Sequence, residues 1–115
     1  MEQMITLHEL CDTVGVSRRA VQGYEKEGLV EATDRNKYGY LLYDEKAKLR
    51  IAQIKLYQQF GFKVKEIKGL LDAPGPVVKE ALEQQVIHME AEQVKMEALI
   101  RRAYELIEVL RKEEQ

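Results

Sequence analysis

The chain has no tryptophan, a single cysteine and only two prolines among its 115 residues. With Cys11 alone, no intrachain disulfide can close and no cysteine-based zinc site can form within one chain. A cytoplasmic setting is the plain expectation. No apolar run approaches the roughly 20 residues that a membrane-spanning helix needs, so no membrane association is expected. The segment MEQMITLHEL holds neither a basic n-region nor an apolar stretch, so no secretory signal is expected. There is no P-loop, no Gly-rich phosphate cradle and no Ser/His/Asp set in a plausible context, so the chain is not expected to be an enzyme. His8 and His88 lack ligand-spaced partners, and neither a metal nor another cofactor is expected.

Apolar residues make up 45% of the chain, which supports a modest core and argues against wholesale disorder. Charged residues make up 33%, which points to long exposed helices. The net charge of −2 excludes a histone-like polycation. It does not exclude nucleic-acid binding, because the charge is unevenly spread. Residues 1–75 carry 12 basic and 11 acidic residues, whereas residues 76–115 carry 6 and 9. A slightly basic front and an acidic back suggest different tasks.

Punctuation divides the front into short elements. Thr6 with Glu9 three residues later is a capping-box pattern that opens a first helix. That helix stops before Gly15, which permits the positive φ of a tight helix–helix turn. Ser17 is a second N-cap, and Ala20, Val21 and Tyr24 face inward on the helix that follows. Gly28 ends it, with Leu29 as the apolar companion of the cap. Two helices joined by a short Gly-containing turn make a helix-turn-helix signature. LVEAT and GYLLY, flanking DRNKY, predict a two-stranded hairpin with a basic, aromatic tip. So small a hairpin must lean on the helices.

Asp44 caps a third helix over about 44–60. It carries two apolar stripes, one through Ala47, Ile51 and Ile54, the other through Leu49, Ala52, Leu56 and Phe60. So wide a face predicts a central core helix. Gly61 breaks it, and Val64, Ile67, Leu70 and Leu71 mark a short fourth helix whose start at Lys63 has no good cap. Ala73-Pro74-Gly75-Pro76 is the one clear boundary, dividing a domain at 1–73 from a long helix at 76–115. Nothing after Pro76 breaks a helix, which predicts a rod of ~55 Å.

The rod has a heptad pattern. Val86, Gln93, Ile100 and Ile107 fall at a; Leu82, Met89, Met96, Ala103 and Leu110 fall at d. Gln93 is the one polar residue in this seam, and a second copy of the chain is the economical partner for it. Glu83, Glu90 and Glu97 at e, with Glu92 at g, flank the first half. Leu99 and Leu106 occupy g in the second half, so the apolar face widens toward the C-terminus. The fold expected is therefore all-α with a small β-hairpin wing: a winged helix-turn-helix head and a long C-terminal dimerisation helix forming an antiparallel coiled coil.

In order, the pieces TLHELCDTVGVS, YEKEGLV, DRNKYGYLLYDE and FGFKVKEIKGLL resemble MerR-type transcriptional regulators. The resemblance covers residues 5–71 by motif and 76–112 by architecture, and the motifs are specific in combination. It implies a bacterial homodimer on double-stranded promoter DNA, acting on transcription by RNA polymerase. The chain is expected to be a short form without the family's C-terminal effector-binding domain. It departs from the family's pattern at Gln22, where an Arg is usual, at Gly23, where a Tyr is usual, and at Leu41, where the wing usually has Arg.

The residues expected at DNA follow from this plan. Arg18 and Arg19 stand just after the N-cap Ser17, at the end of a helix that would enter the major groove. Gln22 lies one turn on, and Tyr24 beyond it offers a hydroxyl. Arg35, Lys37, Tyr38 and Tyr40 form a wing tip able to reach phosphates or a minor groove. Thr6, at a helix start, could hold a phosphate through its backbone N–H. Cys11 is expected to be a small apolar residue. A different function on the same fold stays open: a protein-interaction adaptor, its DNA contact weakened by Gln22, Gly23 and Leu41.

Overall fold

The structure, a computed structural model, describes residues 3–114. Its elements are β1 (Ile5–Thr6), α1 (Leu7–Val14), α2 (Arg18–Lys26), β2 (Asp34–Arg35), β3 (Leu41–Tyr43), α3 (Glu45–Gln59), α4 (Val64–Leu70) and α5 (Gly75–Glu113). They form two compact units, Met1–Pro74 and Gly75–Gln115.

Three polar caps start the helices of the first unit. The Thr6 hydroxyl accepts the Glu9 N–H at 3.3 Å, and the Glu9 carboxylate accepts the Thr6 N–H at 3.1 Å, closing the capping box. The Thr6 N–H, and then the Thr6 hydroxyl donating to the same carboxylate oxygen at 3.0 Å, hold the exposed Glu9 carboxyl below its ordinary range. Ser17 accepts the Ala20 N–H at 3.0 Å, and Asp44 accepts the Ala47 N–H at 2.8 Å. At Lys63 the cap is supplied in reverse, because the Glu66 carboxylate accepts the Lys63 N–H at 3.0 Å. Helix α2 closes through Gly28 at φ 76°, and the Leu29 N–H returns to the Tyr24 carbonyl at 2.9 Å.

The core contains Leu10, Val21, Tyr24, Leu29, Val30, Tyr43, Ile51, Ile54, Tyr57, Phe62 and Ile67. Tyr57 and Phe62 meet edge to face at 6.1 Å. Arg50 closes one side: its Nε–H donates to the Leu29 carbonyl, and its two terminal nitrogens reach the Asp72 carboxylate at 3.0 and 3.1 Å. This ties the end of α2 and the segment after α4 to α3.

Two expectations need correction. The wing is a three-stranded antiparallel sheet, with β3 central between β1 and β2. Ile5 and Thr6 pair with Tyr43 and Leu42, while Asp34 and Arg35 pair with Leu42 and Leu41. The segment LVEAT does not form the first wing strand, because Leu29 and Val30 leave the cap directly into the core. Helix α3 is also less central than its sequence implies. Ala47, Ile51 and Ile54 are buried, but Leu49 and Leu56 of the second stripe remain 60% and 46% exposed.

The second unit is the single helix α5, whose 39 residues span about 58 Å. It starts at Gly75 and leaves the seam residues Val86, Met96, Ile100, Ile107 and Leu110 open, with Leu99 and Leu106 beside them at 57% and 59% exposure. Among the described residues, no helix is long and apolar enough to cross a membrane.

Candidate nucleic-acid interface

A groove of about 380 Å³ runs along one face of the first unit, lined by Thr6, Leu7, His8, Arg18, Gly39, Tyr40 and Leu41. It brings together the starts of α1 and α2 and the wing. Three of the residues singled out from sequence, Thr6, Arg18 and Tyr40, thus share one concavity although they are far apart in the chain. Sheet topology is the reason: β1 runs directly into α1 and pairs with β3, so the wing is anchored beside the start of α1.

Ser17 fixes the first turn of α2, with Arg18 and Arg19 both exposed on it. Gln22 lies three and four residues beyond them on the same face, and it too is exposed. A Cβ at Gly23 would meet nothing within 4 Å, so packing does not require glycine there.

The wing tip is built around Asn36, which the sequence reading passed over. Its Oδ1 accepts the N–H groups of Tyr38 and Tyr40, each at 3.0 Å, and its own N–H reaches the Tyr40 carbonyl. Asn three residues before a glycine is the signal that could have revealed this side-chain-closed turn. Gly39 takes φ 85°, and Arg35 Nη1 donates to its carbonyl at 2.7 Å. Lys37 Nζ stands 5.1 Å over the Tyr38 ring. Tyr38 and Tyr40 present exposed rings. His8, Leu7 and Leu41 line the groove and were also not among the sequence candidates.

One candidate is placed elsewhere. Tyr24 is 4% exposed, and its hydroxyl donates to Gln58 Oε1 of α3, so it is a core residue and not part of the exposed face. Burial pushes its phenol above the usual value. Tyr43 is likewise internal; burial, then its bond to the Glu25 carboxylate, pushes its phenol well up. Cys11 is half-buried, and burial raises its thiol despite the charge of Arg18. No cluster of three His, Cys, Asp or Glu side chains placed to hold a metal occurs among the described residues.

A family model described as the MerR HTH family regulatory protein matches residues 5–74, and a second, described as MerR, DNA binding, matches residues 49–103. The chain belongs to the MerR family. This is a family of transcriptional regulators, not enzymes. The mercuric resistance operon regulatory protein of Bacillus cereus is 36% identical over 63 residues, covering 55% of this chain and 48% of that protein. The transcriptional activator mta of Bacillus subtilis is 32% identical over 77 residues, 67% of this chain and 30% of that protein. The chain spans between about a quarter and a half of the length of the curated relatives it matches, the nodulation protein NolA of Bradyrhizobium diazoefficiens included at 27%. Among solved structures, a MerR-family transcriptional regulator from Bacillus cereus superposes with a TM-score of 0.84 at 23% identity, covering 98% of this chain and 87% of that one. HiNmlR, a MerR-family regulator lacking the sensor domain and bound to promoter DNA, superposes at 0.69 with 17% identity, covering 85% and 79%. Both superpositions establish the fold of this MerR chain: mostly helical, with a small antiparallel sheet and a long C-terminal helix.

Proposed function

We propose that this chain is a homodimeric, cytoplasmic MerR-type regulator that binds double-stranded, pseudo-palindromic promoter DNA and acts there on RNA polymerase. The observation that carries the reading is the groove joining Thr6, Arg18 and Tyr40 across three elements. Arg18 and Arg19 enter the major groove with Gln22 behind them, Arg18 bonding a guanine edge. Arg35, Lys37, Tyr38 and Tyr40 lie along the phosphates, and the capped start of α1 at Thr6, with Ser17 at that of α2, directs N–H groups to the backbone. The promoter DNA bound by HiNmlR supports the same arrangement by analogy of fold.

The open seam of α5, from Leu82 through Val86, Met89, Gln93, Met96, Ile100, Ala103 and Ile107 to Leu110, supports the dimer. An antiparallel pair brings the wide end at Leu99 and Leu106 to the partner's head. There Leu49 and Leu56, also seven residues apart and exposed, offer a matching apolar stripe. A parallel pair would leave the wide end at a free tip.

A gel shift of the chain on its own upstream DNA, repeated across a salt series, tests this reading. A steep loss of affinity with salt, equivalent to several phosphate contacts, is expected. Absence of binding favours the adaptor reading, which the lack of the usual cations at Gln22 and Leu41, and of the usual Tyr at Gly23, supports.

A further inference from the structure

Helix α1 ends without a cation of its own. Its last turn contains Asp12 and no basic residue, although the final carbonyls of a helix favour positive charge. The cation comes from α3. Lys55 is half-buried, and its Nζ donates to the Val14 carbonyl at 3.1 Å. The amine sits against the turn itself, 3.0 Å from where a Cβ on Gly15 would be. Gly15 is therefore constrained twice, by φ 78° and by the amine beside it. Its N–H and that of Val16 both return to the Cys11 carbonyl, at 2.9 and 3.2 Å, while the Val14 carbonyl accepts from Lys55. One turn further along α3, Gln58 Oε1 accepts the Tyr24 hydroxyl from the last turn of α2. Neighbouring side chains on α3 thus hold the end of α1 and the last turn of α2, the two helices joined by a three-residue turn.

We infer that Lys55 is a positioning residue for DNA reading: by clamping the end of α1 it fixes the angle at which α2 carries Arg18 and Arg19 outward. It makes no contact with DNA itself. This rests on the DNA reading above. An amine donating inward beneath the turn does not present its charge to a phosphate, so its loss changes where the arginines point and not how many phosphates are neutralised.

The test uses the full chain and a duplex selected by the unsubstituted protein from a random pool, with a scrambled duplex as reference. Lys55→Met keeps the aliphatic stem and removes the donor and the charge. It is expected to lower the ratio of selected to scrambled affinity about tenfold, with Lys55→Arg restoring most of the loss. The salt slope stays unchanged. A fall of the slope by ~1, with both duplexes weakened equally, would mean that Lys55 is a phosphate contact and would overturn the inference. A second readout needs no DNA. Amide hydrogen exchange over Val14–Arg19 should accelerate in Lys55→Met relative to Ile51 and Ile54; uniform acceleration would mean general destabilisation and also overturn it. If the Met variant does not fold, Lys55→Gln, whose shorter side chain cannot reach the carbonyl, takes its place with the same expected pattern. Failure of the unsubstituted chain to select any duplex sinks the DNA reading. A localised exchange change with no change in the affinity ratio sinks the positioning role alone.

Discussion

Gly23 occupies an interior position of α2 with open space where a side chain would go. Glycine there costs backbone entropy and returns nothing in packing. Gly23→Ala should therefore raise stability by roughly 0.5–1 kcal/mol, seen as a higher urea midpoint at unchanged m. A lower midpoint would mean that the position meets something not visible in the isolated head. Asp72 gives a pH signature. Its side-chain bonds to Arg50, and then the charge of that guanidinium, hold its carboxyl below the ordinary 3.8. A folded value below the unfolded one means that the pair's contribution is full above the unfolded value and disappears as pH falls through the folded one. Asp72→Asn should flatten the acid limb of melting temperature against pH; an unaltered limb would show that the exposed pair adds nothing. Single residues were legible where their chemistry is local. Thr6, Ser17 and Asp44 announce their caps because donor and acceptor lie three residues apart. Lys55 and Val14 are 41 positions apart, and no window of sequence connects them.

Among the elements, the proposed DNA complex divides the work of reading and holding DNA between α2 and the wing. Arg18→Ala should change which base pairs are preferred if, as proposed, the start of α2 faces base edges. Arg35→Ala should weaken all duplexes nearly equally and reduce the salt slope by ~1. Equal loss of preference in both variants, measured by competition with scrambled duplex, would contradict this division. The helices were legible from their periodicity and caps. The wing was legible only in part. Its tip, between Arg35 and Tyr40, stands where the polar and aromatic residues put it. Its third strand was hidden, because Ile5–Thr6 is too short to show an alternation, and its pairing with Leu42 and Tyr43 depends on tertiary placement. Leu29 and Val30 misled for the complementary reason: an apolar pair with a β-branched Val30 suits a strand, yet the cap at Gly28 aims both at the core.

For the whole molecule, the pattern of α5 exceeds what one chain can use. Its seam and the exposed stripe of α3 are legible as apolar faces, but which chain covers them is not written in either face alone. An antiparallel pair centred at Glu97 would set Glu83 opposite the partner's Arg111 and Glu90 opposite the partner's Tyr104. In a Cys11→Ser background, Glu83→Cys combined with Arg111→Cys should crosslink between chains. Crosslinking of Glu83→Cys to its own counterpart, without an 83–111 product, would reverse the direction of the pair. The ion pair itself should add only ~0.2–1 kcal/mol. Ile100→Glu, in the middle of the seam, should halve the mass seen by light scattering if the seam is the dimer contact.

The strand order β1-β3-β2 also bears on how the head is assembled. The partner of Ile5 is Tyr43, so the first strand of the chain waits for residues synthesised 38 positions later. The hairpin partner of β3 arrives first, at a separation of only six residues between Arg35 and Leu41. Loop closure favours the short contact, and a β-hairpin of this size closes in microseconds. The wing is therefore expected to nucleate as a hairpin, with β1 docking on its other edge as α1 packs against α3. On a growing polypeptide, the opening strand and the helix it leads into have no sheet to join until Tyr43 has cleared the ribosome. A translational pause placed before that point would hold the head open, and one placed after it would not.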